Sequence, residues 1–506
     1  MRHCVFLLLG CGVVQPLAAS VHQGNGIKIG EVTPTSAIIW TRLTVGPEAN
    51  WEGAPFAEPT IAGRGPPADA SGRELREFAA RALWRSQLPA GHTVAAMNGA
   101  LPGAPGSVRV VLRPEAGGDE VGTTWLAVDP RRDHTRQVAV SGLMAGTRYR
   151  VRVESRDERG EPGATLEGAF RTAPGRDDDR PVVFGVVTCG DYPRRDDFSL
   201  GHRIYASMQR MDLDFMVHAG DVEYYDRPDP WATSVELARF KWNRLFALPY
   251  LRDFHRLTAV YYTYDDHDLL RDDCWPGQTF GSLTWEEGLM VWDEQVPVST
   301  LPYRTIRYSR DLQVWVLEGR RFRSPNTQPD GPDKTILGPE QRAWLRRTIA
   351  ESDATFKVVV SPTPIVGPDR PAKNDNHANA GFRHEGEALR RFLAAQENLI
   401  VVCGDRHWQY FSVDPETGLR EFGCGPSSDF HAGGYAPEAD DRGMQKYFRL
   451  KGGFLTVDVR RDEGRSQMNL RHHAVDGTVV HEAMLTEGGG FTYRVAHEAA
   501  GGDVAR

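Results

Sequence analysis

The spacing of apolar and polar positions changes character part-way along this chain. From Gly26 to Ala173 the apolar residues fall in short alternating runs broken by Gly and Pro, with almost nothing at helical spacing. "IKIGEVTPTSAIIWTRL" predicts two strands about a Thr-Pro-Thr-Ser turn, and "TRQVAVSGLMAGTRYRVRVESRD" predicts two more about a Gly-containing turn. In the latter, alternation sets Tyr149, Val151 and Val153 on one face, which is a β-sandwich pattern. Residues 47–125 are rich in Pro, Gly and Ala and read as a long loop with one short helix near "SGRELREFAARALW".

Beyond the charged, Pro-bounded linker "RTAPGRDDDRP" the texture becomes short apolar runs alternating with amphipathic stretches. The runs "VVFGVV", "LDFMVHA", "TAVYYTY", "FKVVVS" and "LIVVCG" predict strands buried on both faces. Between them "SLGHRIYASMQRM", "PEQRAWLRRTIAES" and "EGEALRRFLAAQ" predict helices, so this half is expected to be a layered α/β domain. Near the C-terminus "KGGFLTVDVRRD", "SQMNLRHHAVDG" and "TVVHEAMLTEG" return to hairpin-like strands, expected in a second sheet of that domain.

Length and composition narrow the functional classes. At 506 residues two or three domains are expected, and 40% hydrophobic with 25% charged residues is a globular composition. A net charge of -8 gives no footprint for nucleic acid. "MRHCVFLLLGCGVVQPLAAS" has the layout of a cleaved export signal, too short to span a bilayer, which points to a secreted or periplasmic protein. Lipoprotein processing at Cys11 is the lesser alternative, and no later segment reads as a membrane helix. Of six cysteines, Cys189, Cys274, Cys403 and Cys424 lie beyond the leader and are too irregular for a disulfide framework.

The candidate chemistry is at the strand ends. "VVFGVVT" runs into Cys189-Gly190-Asp191-Tyr192, "LDFMVHA" into Gly220-Asp221 with Tyr224 close behind, "AVYYTY" into Asp265-Asp266-His267-Asp268, and "LIVVC" into Gly404-Asp405-Arg406-His407. Singly these are weak signals: Asp after Gly is the ordinary turn residue, and a Cys at a strand end is commonly a small buried hydrophobe. Polar groups converging at the carboxyl ends of several α/β strands instead mark a ligand crevice. The donor set fits a centre of more than one metal, with Asp221 as the bridging carboxylate and Cys189 and Tyr224 as anionic ligands. Asp405 and His407, two apart, project to one side if extended, with Arg406 on the other.

Taken in order, TCGDY, AGDVEY, YDDHD and CGDRHW resemble the alkaline phosphatase D (PhoD-like) family of calcineurin-like metallophosphoesterases, over most of residues 181–460. "SGLMAGTRYRVRVES" with "GAFRTAP" resembles the fibronectin-like domain preceding the catalytic domain in that family. The resemblance implies an α/β fold: a four-layer metallophosphoesterase sandwich over 181–485, preceded by a fibronectin-like β-sandwich with a long insertion over 24–174. A signal peptide over 1–20 and a flexible tail over 486–506 complete the expected organisation. It further implies Fe3+ on Cys189, Asp221 and Tyr224, and one or two divalent ions, Ca2+ foremost, with Asp266, Asp405 and His407 in the second metal region. His267 would act as general acid for the leaving oxygen, or as a hydrogen-bond donor to the phosphoryl group, beside Asp266, and Arg406 would add charge for the phosphate. His377 in "NDNHANAGF" is read first as a loop histidine.

The expected activity is hydrolysis of small phosphate monoesters or diesters by a metal-activated hydroxide, with a phospholipid-like substrate also compatible. The competing reading is a non-catalytic glycan or cell-wall binding protein on a phosphatase-like scaffold. A mononuclear zinc hydrolase is disfavoured because no H-E-x-x-H helix occurs.

Overall fold

A computed structural model describes residues 20–299, 301–370, 373–435 and 442–496. Apart from Ser20, the expected leader, with Cys11, lies outside the described residues. Two large sheets face each other. Edge to edge, the first runs Phe491–Val495, Val479–Thr486, Arg465–His473, Phe454–Asp462, Val182–Val187, Phe215–Ala219, Ala259–Thr263, Ile27–Gly30, Ser36–Arg42, Thr135–Ser141. The second runs Arg304–Arg307, Leu312–Val316, Phe356–Ser361, Leu399–Cys403, Arg420–Cys424, Gln409–Val413, Gln445–Arg449.

Parallel strands occupy the middle of both sheets. They are the runs whose sequence shows no alternation, and every residue of Phe215–Ala219, Ala259–Thr263 and Leu399–Cys403 is buried. The two-residue period still operates, but it divides apolar residues between two covered faces. Phe184, Val186, Phe215 and Val217 meet Val314, Val358, Val360, Ile400 and Val402 in the core between the sheets. Val187, Met216, Val260 and Tyr262 turn outward, onto the helices Arg203–Gln209, Val235–Leu245, Pro249–His255 and Trp285–Gln295. On the far side Trp315, Val359 and Val401 are covered by Gly338–Ala350 and Arg383–Ala394. The result is helix, sheet, sheet, helix.

Beyond the helices expected from a clear apolar stripe, Val235–Leu245, Pro249–His255 and Trp285–Gln295 are also helical. In Val235–Leu245 the stripe is masked: Lys241, Asn243 and Arg244 are buried beside Leu237, Phe240 and Trp242, so polar and apolar positions share the inner side. Two placements differ from expectation. The C-terminal strands extend the first sheet, Phe454–Asp462 pairing antiparallel with Val182–Val187. Phe491–Val495 pairs with Val479–Thr486, so the segment expected to be a tail from residue 486 begins as a strand.

The N-terminal half is fused to this architecture. Ile27–Gly30 pairs in parallel with Ala259–Thr263, so the first sheet crosses the linker expected to divide two domains. A smaller sheet, Val121–Gly122, Ser107–Pro114, Arg148–Arg156, Pro162–Arg171, with Leu126–Ala127 also on Ser107–Pro114, packs across that end. Val110, Leu112, Val151 and Val153 share a core there with Ile27, Ile39 and Val138. Tyr149, Val151 and Val153 are buried together as the alternation requires. Ser107–Pro114 is a central strand inside the segment read as loop, and the expected pair Thr135–Ser141 and Arg148–Arg156 divides between two sheets. No helix among the described residues is long and apolar enough to cross a membrane.

Candidate metal centre

The crevice lies where strand ends of the two sheets meet. Cys189, Asp221 and Asp405 each take a left-handed backbone conformation, with φ of 56°, 59° and 61°. For residues other than glycine this costs on the order of 1 kcal/mol apiece and turns the chain sharply off its strand. The turns are stitched together: the Gly190 N–H donates to the Asp221 carbonyl at 2.7 Å, and the Thr188 hydroxyl donates to the Gly220 carbonyl at 2.9 Å. The Asp268 carboxylate accepts from the N–H groups of Asp221, Glu223 and Asp265 at 2.7, 3.0 and 2.9 Å. Gly404 permits the close approach between sheets, because a Cβ there would sit 2.4 Å from the Ala219 carbonyl oxygen.

These turns bring seven site residues named from the sequence into one cluster. Cys189, Asp221 and His407 present donor atoms within 4.8 Å of one another, as do Asp221, Asp266 and His267, and as do Asp221, Asp265 and Asp405. Asp221 is common to all three groups. The Tyr224 hydroxyl donates to Asp221 Oδ2 at 2.8 Å and lies 3.3 Å from His407 Nε2, while Cys189 Sγ is 3.4 Å from the same carboxylate oxygen. Such spacings match the edges of a coordination polyhedron with bonds of about 2.0–2.3 Å.

The electrostatics suit a cation. Burial first, then the Asp221 charge, push the Cys189 thiol and the Tyr224 phenol well above their ordinary values. Without a cation both are neutral; a bound ion's field favours thiolate and phenolate. Burial also raises Asp221 and lifts Asp265 to about 8. Among the described residues Asp221 Oδ1 and Asp265 Oδ2 are buried without a hydrogen-bond partner, while Asp266 Oδ1 and Asp405 Oδ2 have only the guanidinium groups of Arg320 and Arg406 beside them. Orphaned carboxylate oxygens crowded in one crevice are costly unless a cation satisfies them, so the donor set fits metal ions. Burial above all holds His407 and His431 well below the usual histidine range, which keeps both rings neutral and able to ligate.

His267 is a different kind of group. Its Nδ1 lies 2.6 Å from Asp226 Oδ1, and its ring stacks on Tyr224 with centroids 4.1 Å apart. Burial would depress its pKa, but Asp226, Asp266 and Asp221 overcome this and raise it to about 10. In the ion-free chain its ring is therefore protonated, with Nδ1 engaged by Asp226.

Several expectations need correction. Asp405 and His407 do not share a side: the left-handed turn at Asp405 breaks the extended alternation, sending Asp405 toward Asp265 and His407 toward Cys189 and Tyr224. Arg406 is buried and committed to Asp369 and Asp405, which makes it an internal counter-charge. Arg320, with no motif to announce it, pairs with Asp265 and lies 3.4 Å from Asp266. Asp226, Asp265 and Asp268 were visible as acids but without roles. His431, in the turn Asp429–His431, places Nδ1 3.1 Å from the Cys189 carbonyl and its ring 4.1 Å from that of His407. In the sequence it is a lone histidine beyond the strand that ends at Cys424, with no motif to mark it.

His377 is a structural residue, with Nε2 3.0 Å from Glu385 Oε2. Burial raises Glu385, but the His377 contact and the Ile336 and Thr335 donors prevail and bring it down to about 2. A lowered carboxylate stabilises the fold above its unfolded pKa and loses that contribution as pH falls through the folded value. Glu385→Gln is therefore expected to cost on the order of 3 kcal/mol at pH 7 and less at pH 3. Denaturant melts of both proteins at the two pH values check this.

A family model for PhoD-like phosphatases matches residues 184–476. Alkaline phosphatase D of Bacillus subtilis (strain 168) is 22% identical over 355 residues, an alignment spanning 58% of this chain and 58% of that protein. Among solved structures, PhoD superposes with a TM-score of 0.69 at 15% identity, covering 96% of this chain and 94% of its own. The purple acid phosphatase PPD1 from yellow lupin (Lupinus luteus) seeds gives 0.59 at 11% identity, covering 91% and 74%. Both carry the same mixed, sheet-rich architecture.

Proposed function

The chain belongs to the PhoD-like phosphatase family, with a metallophosphoesterase-type fold, and on that premise we propose that it is a secreted or periplasmic metal-dependent phosphoesterase acting on small phosphate monoesters or diesters. The observation that carries this is Asp221, shared by three donor groups and with its own Oδ1 buried and without a hydrogen-bond partner among the described residues. Cys189, Asp221, Tyr224 and His407 would hold one ion, for which Fe3+ suits the phenolate and thiolate. Asp221, Asp266, Asp265 and Asp405 offer oxygen donors for a divalent ion such as Ca2+. When bound, such ions lower the pKa of water, neutralise phosphoryl oxygens and stabilise a leaving oxygen.

The chain's own groups do the rest. Asp226 orients His267 through Nδ1, which leaves Nε2 as the ring atom for proton donation. As the water oxygen adds to phosphorus, releasing one proton to solvent, and the P–O ester bond breaks, the leaving oxygen takes the bond's electron pair and the His267 proton. Phosphate, or a phosphomonoester from a diester, and an alcohol result; solvent restores the proton to His267. Arg320 balances the excess of carboxylates around Asp265 and Asp266. We read residues 24–174 as the fibronectin-like unit, from the strand order of the small sheet and its packing on Ile27–Gly30, Ser36–Arg42 and Thr135–Ser141.

Turnover of 4-nitrophenyl phosphate and bis(4-nitrophenyl) phosphate tests the reading. Metal-replete protein is expected to hydrolyse at least one ester and to lose that activity on chelation, and the His267→Ala variant to fall by about 100-fold or more on an alkyl phosphate, whose leaving oxygen needs the proton. Metal-replete protein that turns over neither ester, or turnover indifferent to chelation, overturns it.

A further inference from the structure

The segment before Ser107–Pro114 reaches the reaction centre. Its helix Gly72–Arg81 opens with a reciprocal cap, the Ser71 side chain accepting from the Glu74 N–H and the Glu74 side chain accepting from the Ser71 N–H. Ala79 is buried, and Leu75 and Ala80 pack on the core beneath the outer helices. The segment then grips the loop that follows Tyr224: Gln87 is buried, its amide donates to the Trp231 carbonyl at 3.0 Å, and its carbonyl oxygen accepts from the Trp231 N–H at 2.8 Å. Phe56 meets Phe240 edge-on at 4.9 Å. The segment that carries the helix is thereby pinned to the loop after Tyr224 and to the outer helices.

On that helix Arg76 faces Asp226. Arg76 Nε lies 3.5 Å from Asp226 Oδ2, and Arg76 Nη2 donates to Asp272 Oδ2 at 3.1 Å. The Asp272 N–H in turn donates to Asp226 Oδ2 at 3.1 Å, while Asp226 Oδ1 holds His267 Nδ1 at 2.6 Å. Each Asp226 oxygen thus has an assigned task, one toward the histidine and one toward the helix and the Asp272 backbone. The carboxylate has no side-chain exposure, and the Arg76 side chain is only 18% exposed. A short, largely dehydrated chain of charges fixes orientation better than the same pairs in water.

We propose that Arg76 is a positioning residue of the hydrolytic reaction: by holding Asp226 it keeps the His267 ring turned toward the ester, making residues 47–106 part of the active site. This rests on the phosphoesterase reading and on His267 as the leaving-group acid. Proton donation matters most for a poor leaving group, because an alkoxide needs the proton as the bond breaks whereas 4-nitrophenolate leaves readily without it.

The test compares an alkyl phosphate with 4-nitrophenyl phosphate in metal-replete wild-type, Arg76→Ala, Arg76→Lys and His267→Ala proteins, with bound metal and melting temperature measured for each. Arg76→Ala is expected to lower kcat about 10-fold or more on the alkyl ester and no more than about 3-fold on the aryl ester. Metal content and KM should hold, and Arg76→Lys should recover most of the alkyl rate. Equal losses on both esters, or no loss on either, overturn the proposal; if the alanine variant does not fold, the lysine variant and Arg76→Gln carry the same comparison. His267→Ala separates the two failures. If it shows the alkyl-selective loss and the Arg76 variants do not, only the Arg76 role falls; if it does not, the acid assignment falls and the Arg76 role with it.

Discussion

Asp221→Asn is expected to lower phosphate ester turnover by about 1,000-fold or more and to remove more than one equivalent of bound metal per chain. The amide keeps the size and shape of the side chain, so the substitution acts on charge and donor capacity. The carboxylate's two oxygens face different neighbours: Oδ2 lies against Tyr224 and Cys189, and Oδ1 has no hydrogen-bond partner among the described residues. An amide offers one oxygen in place of two and places N–H donors where cations would lie, weakening both ion sites together. Turnover and elemental analysis of wild-type and variant protein, prepared in parallel, check the outcome. Loss of a single ion, with the remainder held at wild-type occupancy, would make Asp221 a terminal ligand and remove the basis for a bridged centre.

Much of this centre was legible because the strands announce themselves. "LDFMVHA" and "LIVVC" are apolar without alternation, and the change to Asp and His marks where each strand leaves the core. Cys189, Asp221, Tyr224 and His407 could be named on that ground, whereas Asp266 was singled out from its neighbours by the family resemblance. What sequence pattern cannot carry is a backbone torsion. The left-handed turn at Asp405 separates two residues that extended geometry would place side by side, and Asp405 moves to the other group of donors.

Partners distant along the chain were hidden for a related reason. Arg320 pairs with Asp265 and Arg76 with Asp226 across separations that no local period reports. The same holds at the level of sheets. Alternation in Phe454–Asp462 says which residues face inward but not that its neighbour is Val182–Val187, so the first sheet gained strands expected in the second. The joint between Ile27–Gly30 and Ala259–Thr263 was invisible too, and it is why the linker reads as a boundary in sequence and not in the sheet.

The thiol and phenol support the second large expectation. Purified, iron-loaded protein should absorb visible light through ligand-to-metal charge transfer from thiolate or phenolate, and the Cys189→Ala, Tyr224→Phe double variant should lose that band and one ion per chain. Both side chains are fully buried, and in the ion-free chain burial and the Asp221 charge keep both protonated. Two protons must therefore leave as the ion binds, and its affinity should rise with pH. The double variant removes the sulfur and the phenol oxygen while leaving Asp221, Asp265, Asp266 and Asp405 in place, so oxygen ligation of a divalent ion should survive. Turnover should nevertheless drop by about 100-fold or more, since one of two cooperating ions is gone. A visible spectrum together with elemental analysis of wild-type and variant protein decides the matter: colour that persists in the double variant would place iron on other donors, whereas a wild-type protein that takes up iron without any visible band would mean that neither Cys189 nor Tyr224 binds it.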